Sequence, residues 1–227
     1  MSQMGNPQPD NLKNIRAVLF DFDGVLVEST HIKTHAFSEL FSTYTDNTEP
    51  VVSYHLRHGG ISRYEKFRWI FSNILNRPVS ENELQDLGEK FSKIVKNKVI
   101  QAPYVPGTLE LLEFLHGRLL AFIASGTPQD ELREIVQEKG ITHYFSGVFG
   151  TPATKQDIIR KIMNAYELRS DHCVFIGDSL TDYQAARDHN LWFIARVSEE
   201  NASLWPEDVT YRVNDMVEVK QLLAKVI

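Results

Sequence analysis

Residues 17–30 read AVLFDFDGVLVEST. The first part, AVLFDFD at 17–23, is a short apolar run with β-branched and aromatic side chains that ends in acid. It predicts a buried strand whose carboxyl end carries Asp21 and Asp23. Alternate side chains of a strand point the same way, so the two carboxylates can share one side. In parallel sheets, ligands bind outside the carboxyl ends of the strands. Two adjacent carboxylates there repel each other, and a bound divalent cation relieves that repulsion. Gly24 lets the chain turn sharply and approach a ligand. Taken alone, the segment also fits an acidic turn after a strand, because short motifs often match by chance.

Outward from this strand, similar apolar runs recur as LLAFIAS at 119–125, GVFG at 147–150, HCVFIGD at 172–178 and WFIARV at 192–197. Helical patterns separate them: PQDELREIVQEKG, KQDIIRKIMNAYEL and LTDYQAARDHN. Strand alternating with helix predicts an α/β fold, a Rossmann-like parallel sheet with helices on both faces. VTYRV near the end adds an edge strand before a last helix. Between the first two strands, residues 29–102 are helical nearly throughout, and the stretches beginning at His31, Ser62 and Ser80 each carry an apolar stripe. That is too long for a plain crossover and predicts an inserted helical cap. PYVPG at 103–107 returns the chain to the core, because its prolines stop the preceding helix. The expected organisation is a flexible N-terminus over 1–14, a catalytic α/β core over 15–28 and 103–227, and the cap over 29–102.

The 227 residues, 42% hydrophobic and 24% charged, suffice for a sizeable core. A net charge of -6 argues against a nucleic-acid partner, which needs a basic face. A small phosphorylated metabolite needs only a local positive site. No apolar run reaches the length of a membrane span, and the polar start MSQMGNPQPDNLKN lacks the apolar core of a signal peptide. The expectation is a cytoplasmic monomer or weak dimer. Cys173 is the only cysteine and lies in an apolar run, as a small buried hydrophobe does.

Three further segments carry candidate chemistry. FIGDSLTD places Asp178 and Asp182 four residues apart, at a strand end and in the first helical turn. Oxygen ligands of this kind suit magnesium, although Ser179 also fits a helix cap and Asp182 a solvated first-turn acid. FIASGT puts Ser125, Gly126 and Thr127 between a strand and a helix, where a hydroxyl and amides can cradle phosphate. Lys155, in GTPATKQD, starts a helix, where a cation does not favour the helix dipole. That small local cost suggests a role in holding phosphate or damping repulsion among carboxylates.

These four segments, in this order, resemble the haloacid dehalogenase superfamily, and most closely its phosphoglycolate phosphatase and β-phosphoglucomutase branch. DFDGV matches the first motif, the SGT turn the second, Lys155 the third and GDSLTD the fourth. The insertion after strand one matches the family's helical cap. The resemblance implies a magnesium-dependent phosphatase, a phosphoric monoester hydrolase acting on a sugar or organic-acid phosphate. Asp21 would be nucleophile and metal ligand. Asp23 would be general acid and base and would offer its backbone carbonyl to the metal. Ser125, Gly126 and Lys155 would bind the phosphoryl group. Asp178 would complete the metal site, and Asp182 would act in or beside it. The departure is at the third motif, where TPATK lacks the Gly-Lys-Pro of many relatives.

In the cap, Gly59 and Gly60 break the helix and Ser62 can cap the next one, with Arg63 and Lys66 three apart on one face. The segment resembles the substrate-reading loop of β-phosphoglucomutase, which implies that Arg63 contacts the distal part of the substrate; a basic solvated face is the other reading. FRWIF is expected in the cap core. A phosphosugar mutase using the same Asp21 and Asp23 is the alternative, and a non-catalytic binding protein a third. Mutase relatives usually carry Glu-Asp where this chain has Gly177-Asp178 and lack an acid matching Asp182, which favours the phosphatase.

Overall fold

The computed structural model describes Leu12 and residues 14–227; the flexible stretch expected at the N-terminus lies, for the most part, outside the described residues. Six strands form one sheet: β1 (Ala17–Phe20), β2 (Leu120–Pro128), β3 (Gly147–Thr151), β4 (Cys173–Gly177), β5 (Trp192–Arg196) and β6 (Tyr211–Val213). The order is β3-β2-β1-β4-β5-β6, and every pairing is parallel. VTYRV therefore supplies the edge strand β6.

The strands read as continuous apolar runs because both faces are covered. Along β1, Val18 and Phe20 face the layer formed by α5 (Thr108–Leu115), α6 (Gln129–Glu138) and α9 (Met216–Leu223), represented by Leu112, Ile135 and Val219. Ala17 and Leu19 face α7 (Lys155–Ala165) and α8 (Leu180–Asp188) through Ile158, Ile162 and Ala186. Cys173 is buried in that second layer.

Four helices occupy the interval between β1 and β2: α1 (Thr30–Phe41), α2 (Glu49–Arg57), α3 (Arg63–Asn73) and α4 (Glu81–Gln101). Their shared core is aromatic, with Phe37, Phe41, Phe67, Phe71 and Phe91 all buried. FRWIF obeys the helical period: Phe67, Ile70 and Phe71 point inward, while Trp69 lies outside, stacked on Tyr54 at 3.7 Å. The return segment is pinned by an isolated bridge between Val27 and Tyr104 and by the bond from Val105 N–H to Leu26 O at 3.1 Å. Among the described residues, no helix is long and apolar enough to cross a membrane.

Candidate active site

In this sheet the order in which successive strands are added reverses between β1 and β4, and crevices form at such switch points outside the carboxyl ends. Asp21 follows β1 there and Asp178 follows β4. The Asp21 N–H still bonds to Ile176 O at 2.9 Å, so the strand pairing itself fixes where this carboxylate begins. The chain then folds into a tight loop in which Phe22 O accepts from the N–H groups of Leu26 and Val27. Gly24 sits in this loop at φ +73°, and a Cβ there would lie 2.1 Å from Asp178 Oδ2. Only glycine lets the two acidic loops meet.

Asp21 Oδ1 accepts from Phe22 N–H at 2.7 Å, and Oδ2 accepts from Lys155 Nζ at 2.9 Å. Lys155 begins α7 behind its N-cap Thr154 and is buried. Its second partner is Asp182 Oδ1. Asp182 is fully buried, and its Oδ2 accepts from Ser179 N–H at 3.1 Å and Ser179 Oγ at 2.6 Å. This capping box is the role foreseen for Ser179, but Asp182 is no solvated acid. Oxygens of Asp21, Asp178 and Asp182 lie within 4.8 Å of one another.

Burial pushes Asp21 up to about 7; Lys155 opposes this, while Asp182 and Asp23 add to it. Burial, then Asp21 and Asp182, raise Asp178 well above the usual carboxylate range. Burial works to lower Lys155, but Asp182 and Asp21 outweigh it and hold its pKa above the ordinary lysine value. Among the described residues, the Asp178 carboxylate accepts no hydrogen bond and joins no ion pair. Only its backbone is tied, by Asn201 Nδ2 to Asp178 O at 2.8 Å. An acidic group facing two others with no protein donor of its own fits a cation, so these residues suit a divalent metal.

Asp23 stands apart from this trio. Its carboxylate accepts from Ser29 Oγ at 2.6 Å and Thr127 Oγ1 at 3.1 Å, and pairs with Lys33. Burial works to raise Asp23, but Lys33 and these hydrogen bonds outweigh it and hold it below its ordinary value. Its side chain therefore serves Lys33, which leaves the backbone carbonyl as the donor expected for a metal. Ser125 is buried and lies, with Gly126, on the wall of the cavity that Asp21 and Asp178 line. The segment differs from the expected strand-to-helix turn. β2 runs on to Pro128 with its register shifted between Ala124 and Pro128, and Thr127 N–H bonds to Ser125 Oγ at 3.2 Å. A Cβ at Gly126 would lie 2.7 Å from Gly60 O, so glycine there admits the insertion's loop over the site.

Arg63 is placed otherwise than a free substrate-reading base. Its side chain is 5% exposed and forks onto Glu131 of α6 at 2.6 and 3.0 Å, with a third bond to Ser92 Oγ at 2.8 Å. The guanidinium borders the cavity but is occupied as a tie between the insertion and the sheet layer. Removing one member of a buried, hydrogen-bonded pair leaves an uncompensated charge. Arg63→Ala is expected to lower the unfolding free energy by about 3–5 kcal/mol. The Arg63→Ala/Glu131→Ala double variant should lose less than the sum of the singles in urea unfolding. Additivity would show that the pair is not coupled.

Sequence reasoning gave no role to Lys33 or His55, and named Thr127 and Lys66 without the partners they have here. Lys33 Nζ also reaches Thr127 Oγ1 at 2.8 Å, a contact spanning 94 positions of sequence. Lys66 and His55 meet on the insertion's side of the same cavity. Ser29 at the foot of α1 with Lys33 four residues on was the only local signal.

A family model described as haloacid dehalogenase-like hydrolase matches residues 15–190. A 5'-nucleotidase of Pseudomonas aeruginosa is 31% identical over 86 residues, covering 35% of this chain and 39% of that protein. The match thus spans well under half of that relative. Among solved structures, one described as a predicted phosphoglycolate phosphatase from Haemophilus somnus superimposes with a TM-score of 0.75 at 16% identity, covering 93% of this chain and 99% of that one. A haloacid dehalogenase-like family protein from Streptococcus pneumoniae gives 0.69 at 21% identity, covering 93% and 98%. At these identities the solved structures speak for the fold alone.

Proposed function

The chain belongs to the haloacid dehalogenase-like hydrolases, and from that premise we propose that it hydrolyses small phosphate monoesters through a phosphate carried covalently by Asp21. The observation that carries this is the placement of Asp21: at the switch point, one oxygen on Lys155 and one on the Phe22 N–H, with Asp178 alongside. In this reading Asp21, Asp178 and the backbone carbonyl of Asp23 hold a magnesium ion. When bound, the ion neutralises charge on Asp21 and on the substrate's phosphoryl oxygens, so that two anions can meet.

The rest falls to the chain's own groups. Asp21 attacks phosphorus, and the ester oxygen leaves with a proton from Asp23. Lys155, held between Asp21 and Asp182, is already aimed when charge spreads over the equatorial oxygens of the transition state. Ser125 and the Gly126 amide supply donors to the same oxygens. Asp23 then takes a proton from the water that opens the phospho-Asp21 bond. Asp182 acts in this scheme by holding Lys155 and Ser179, since both its oxygens are engaged by them.

Water as acceptor, rather than a second sugar hydroxyl as in a mutase, is favoured by a second cavity. It shares Gly60, Ser125 and Gly126 with the first cavity and is lined also by Lys155, Thr154 and Thr181. The test is phosphate release from p-nitrophenyl phosphate and a panel of sugar and organic-acid phosphates with magnesium. Beside it runs a readout of glucose 6-phosphate from β-glucose 1-phosphate. Isomerisation outrunning phosphate release would overturn the hydrolase. Chelation should remove activity by more than about 10²-fold, and magnesium should restore it. Because Asp21 and Asp178 both hold protons more tightly than ordinary carboxylates, magnesium uptake must release protons near neutral pH. Calorimetry in buffers of different ionisation heat measures that number, and full turnover in excess chelator would remove the metal from the scheme.

A further inference from the structure

The three carboxylates that face one another at the site are held unequally. Asp21 accepts from Phe22 N–H at 2.7 Å and from Lys155 Nζ at 2.9 Å. Asp182 accepts from Ser179 and pairs with Lys155. Among the described residues, nothing donates to the Asp178 carboxylate, so its aim depends on the main chain that carries it. That main chain has just left the sheet. The last register pair of β4 and β5 is Gly177 with Ala195, and Asp178 and Arg196 are the positions that follow.

Asn201 stands where the next rung of that ladder would be. Its Nδ2 donates to Asp178 O at 2.8 Å and to Arg196 O at 2.9 Å, and its Oδ1 accepts from Ser198 N–H at 2.8 Å. An amide side chain has two N–H donors and one carbonyl, so both donors are used and the oxygen is engaged. Turning the amide over would set its oxygen against two carbonyls, which fixes its orientation. Asn201 is only 6% exposed, and a buried carbonyl left without a donor is costly. The anchor is itself anchored. Arg196 donates to Glu28 Oε1 at 2.6 Å and to Asn214 O at 3.1 Å, and Trp205, just beyond Asn201, packs with Ala195 and Phe193.

We propose that Asn201 is a positioning residue for the divalent cation: by bridging the ends of β4 and β5 it holds the Asp178 main chain, and so aims a carboxylate that has no other tie. This rests on the metal reading above and adds the residue that sets the site's affinity and its preference between cations. Asn201 borders the cavity beside Asp178, but both ends of its amide are committed, so it acts through Asp178 and not on the substrate. Magnesium demands near-octahedral geometry, whereas calcium accepts flexible ligand sets. Loosening Asp178 therefore weakens magnesium more than calcium.

Calorimetric titration of the full chain with magnesium alone, and separately with calcium alone, reads this without turnover. Asn201→Ala should raise the magnesium Kd by roughly 10- to 100-fold, the range for losing a group that orients a metal ligand, and the calcium Kd by less. Asn201→Asp keeps the size of the side chain and the acceptor for Ser198 N–H but has no donor for Asp178 O. It should also weaken magnesium binding, although its added negative charge alone would strengthen it, and it carries the test if the alanine variant does not fold. Arg212→Ala is the comparison, because it removes bonds to Pro206 O at 2.8 Å and Val209 O at 3.3 Å in the same β5–β6 connection without touching Asp178 or Asn201. It should lower the melting temperature in chelator, as the Asn201 variants do, and leave both cation constants unchanged. Unchanged magnesium binding in both Asn201 variants, tighter binding in Asn201→Asp, or an equal loss in Arg212→Ala would overturn the positioning role while the metal site stands. A wild type that binds no magnesium would overturn the role and the metal reading together. Weakened binding in the Asn201 variants, with no ester hydrolysed by wild type, would support the role and sink only the phosphatase.

Discussion

Asp21→Asn will lose phosphate release by at least about 10⁴-fold and still fold, because the substitution removes a nucleophile without removing a packing contact. Asparagine has the shape of aspartate, and its oxygen can still accept the Phe22 N–H that Asp21 Oδ1 accepts at 2.7 Å. Lys155 keeps a carboxylate partner in Asp182. What disappears is negative charge beside Asp178, and that has a signature separate from catalysis. The folded-state pKa of Asp21, pushed up to about 7 by burial, lies above the ordinary aspartate value of 3.8. The native protein therefore binds a proton that the unfolded chain has released across that window. Stability of the magnesium-free wild type should fall as pH rises from about 4 to 7 and level off above, relative to Asp21→Asn. Urea unfolding of both proteins at pH 5 and pH 8 in chelator measures this, and the gap should move in the variant's favour at the higher pH. A variant that retains more than a few per cent of turnover would remove Asp21 from the nucleophile's role. A gap that moves the other way would show that Lys155, and not burial, dominates its environment.

The features legible in the sequence are those set within one or two residues of a strand end. AVLF gave β1 because both faces of a central parallel strand are apolar, and the acids follow where such strands leave the sheet. FIGDSLTD fixed Asp178 and Ser179 in the same way, since strand, cap and first helical turn all act locally. Lys155 was found despite the missing Gly-Lys-Pro, because a cation at a helix start is locally disfavoured. Two helices were not singled out. α2 has Pro50 in its first turn with Val51 and Val52 behind it, and α5 is apolar on most sides, so neither shows a clean stripe. The contacts of the insertion were beyond local reasoning. Arg63 has the pattern of a solvated base three residues from another, yet its partner Glu131 lies 68 positions away. Lys33 and Thr127 meet across 94 positions, and that contact exists only because the insertion folds back over the end of β2. Such partners are set by how two packed units sit together, and no periodicity within either records it.

The second large effect is expected at Asp23, and it should depend on the leaving group. Asp23→Asn keeps the nucleophile and both Lys155 contacts but cannot move a proton. Turnover of an alkyl phosphate, whose alkoxide must be protonated as it departs, should fall by about 10²–10⁴-fold. With p-nitrophenyl phosphate the departing phenolate needs less help, so the defect should shrink until water attack on phospho-Asp21 limits the rate. The geometry adds a condition. In the free protein Lys33 and the hydroxyls of Ser29 and Thr127 hold Asp23 below its ordinary pKa, a state suited to a base and not to an acid. Acid action requires that the bound phosphate, an anion competing for Lys33, raise Asp23 toward neutrality. Lys33→Met, which removes that ion pair, should therefore move the alkaline limb of the kcat/KM profile to higher pH, because Asp23 then stays protonated, and able to act as the acid, further up the scale. Equal defects of Asp23→Asn with both leaving groups would argue against proton transfer by this carboxylate. An alkaline limb that does not move in Lys33→Met would show that the limb belongs to another group.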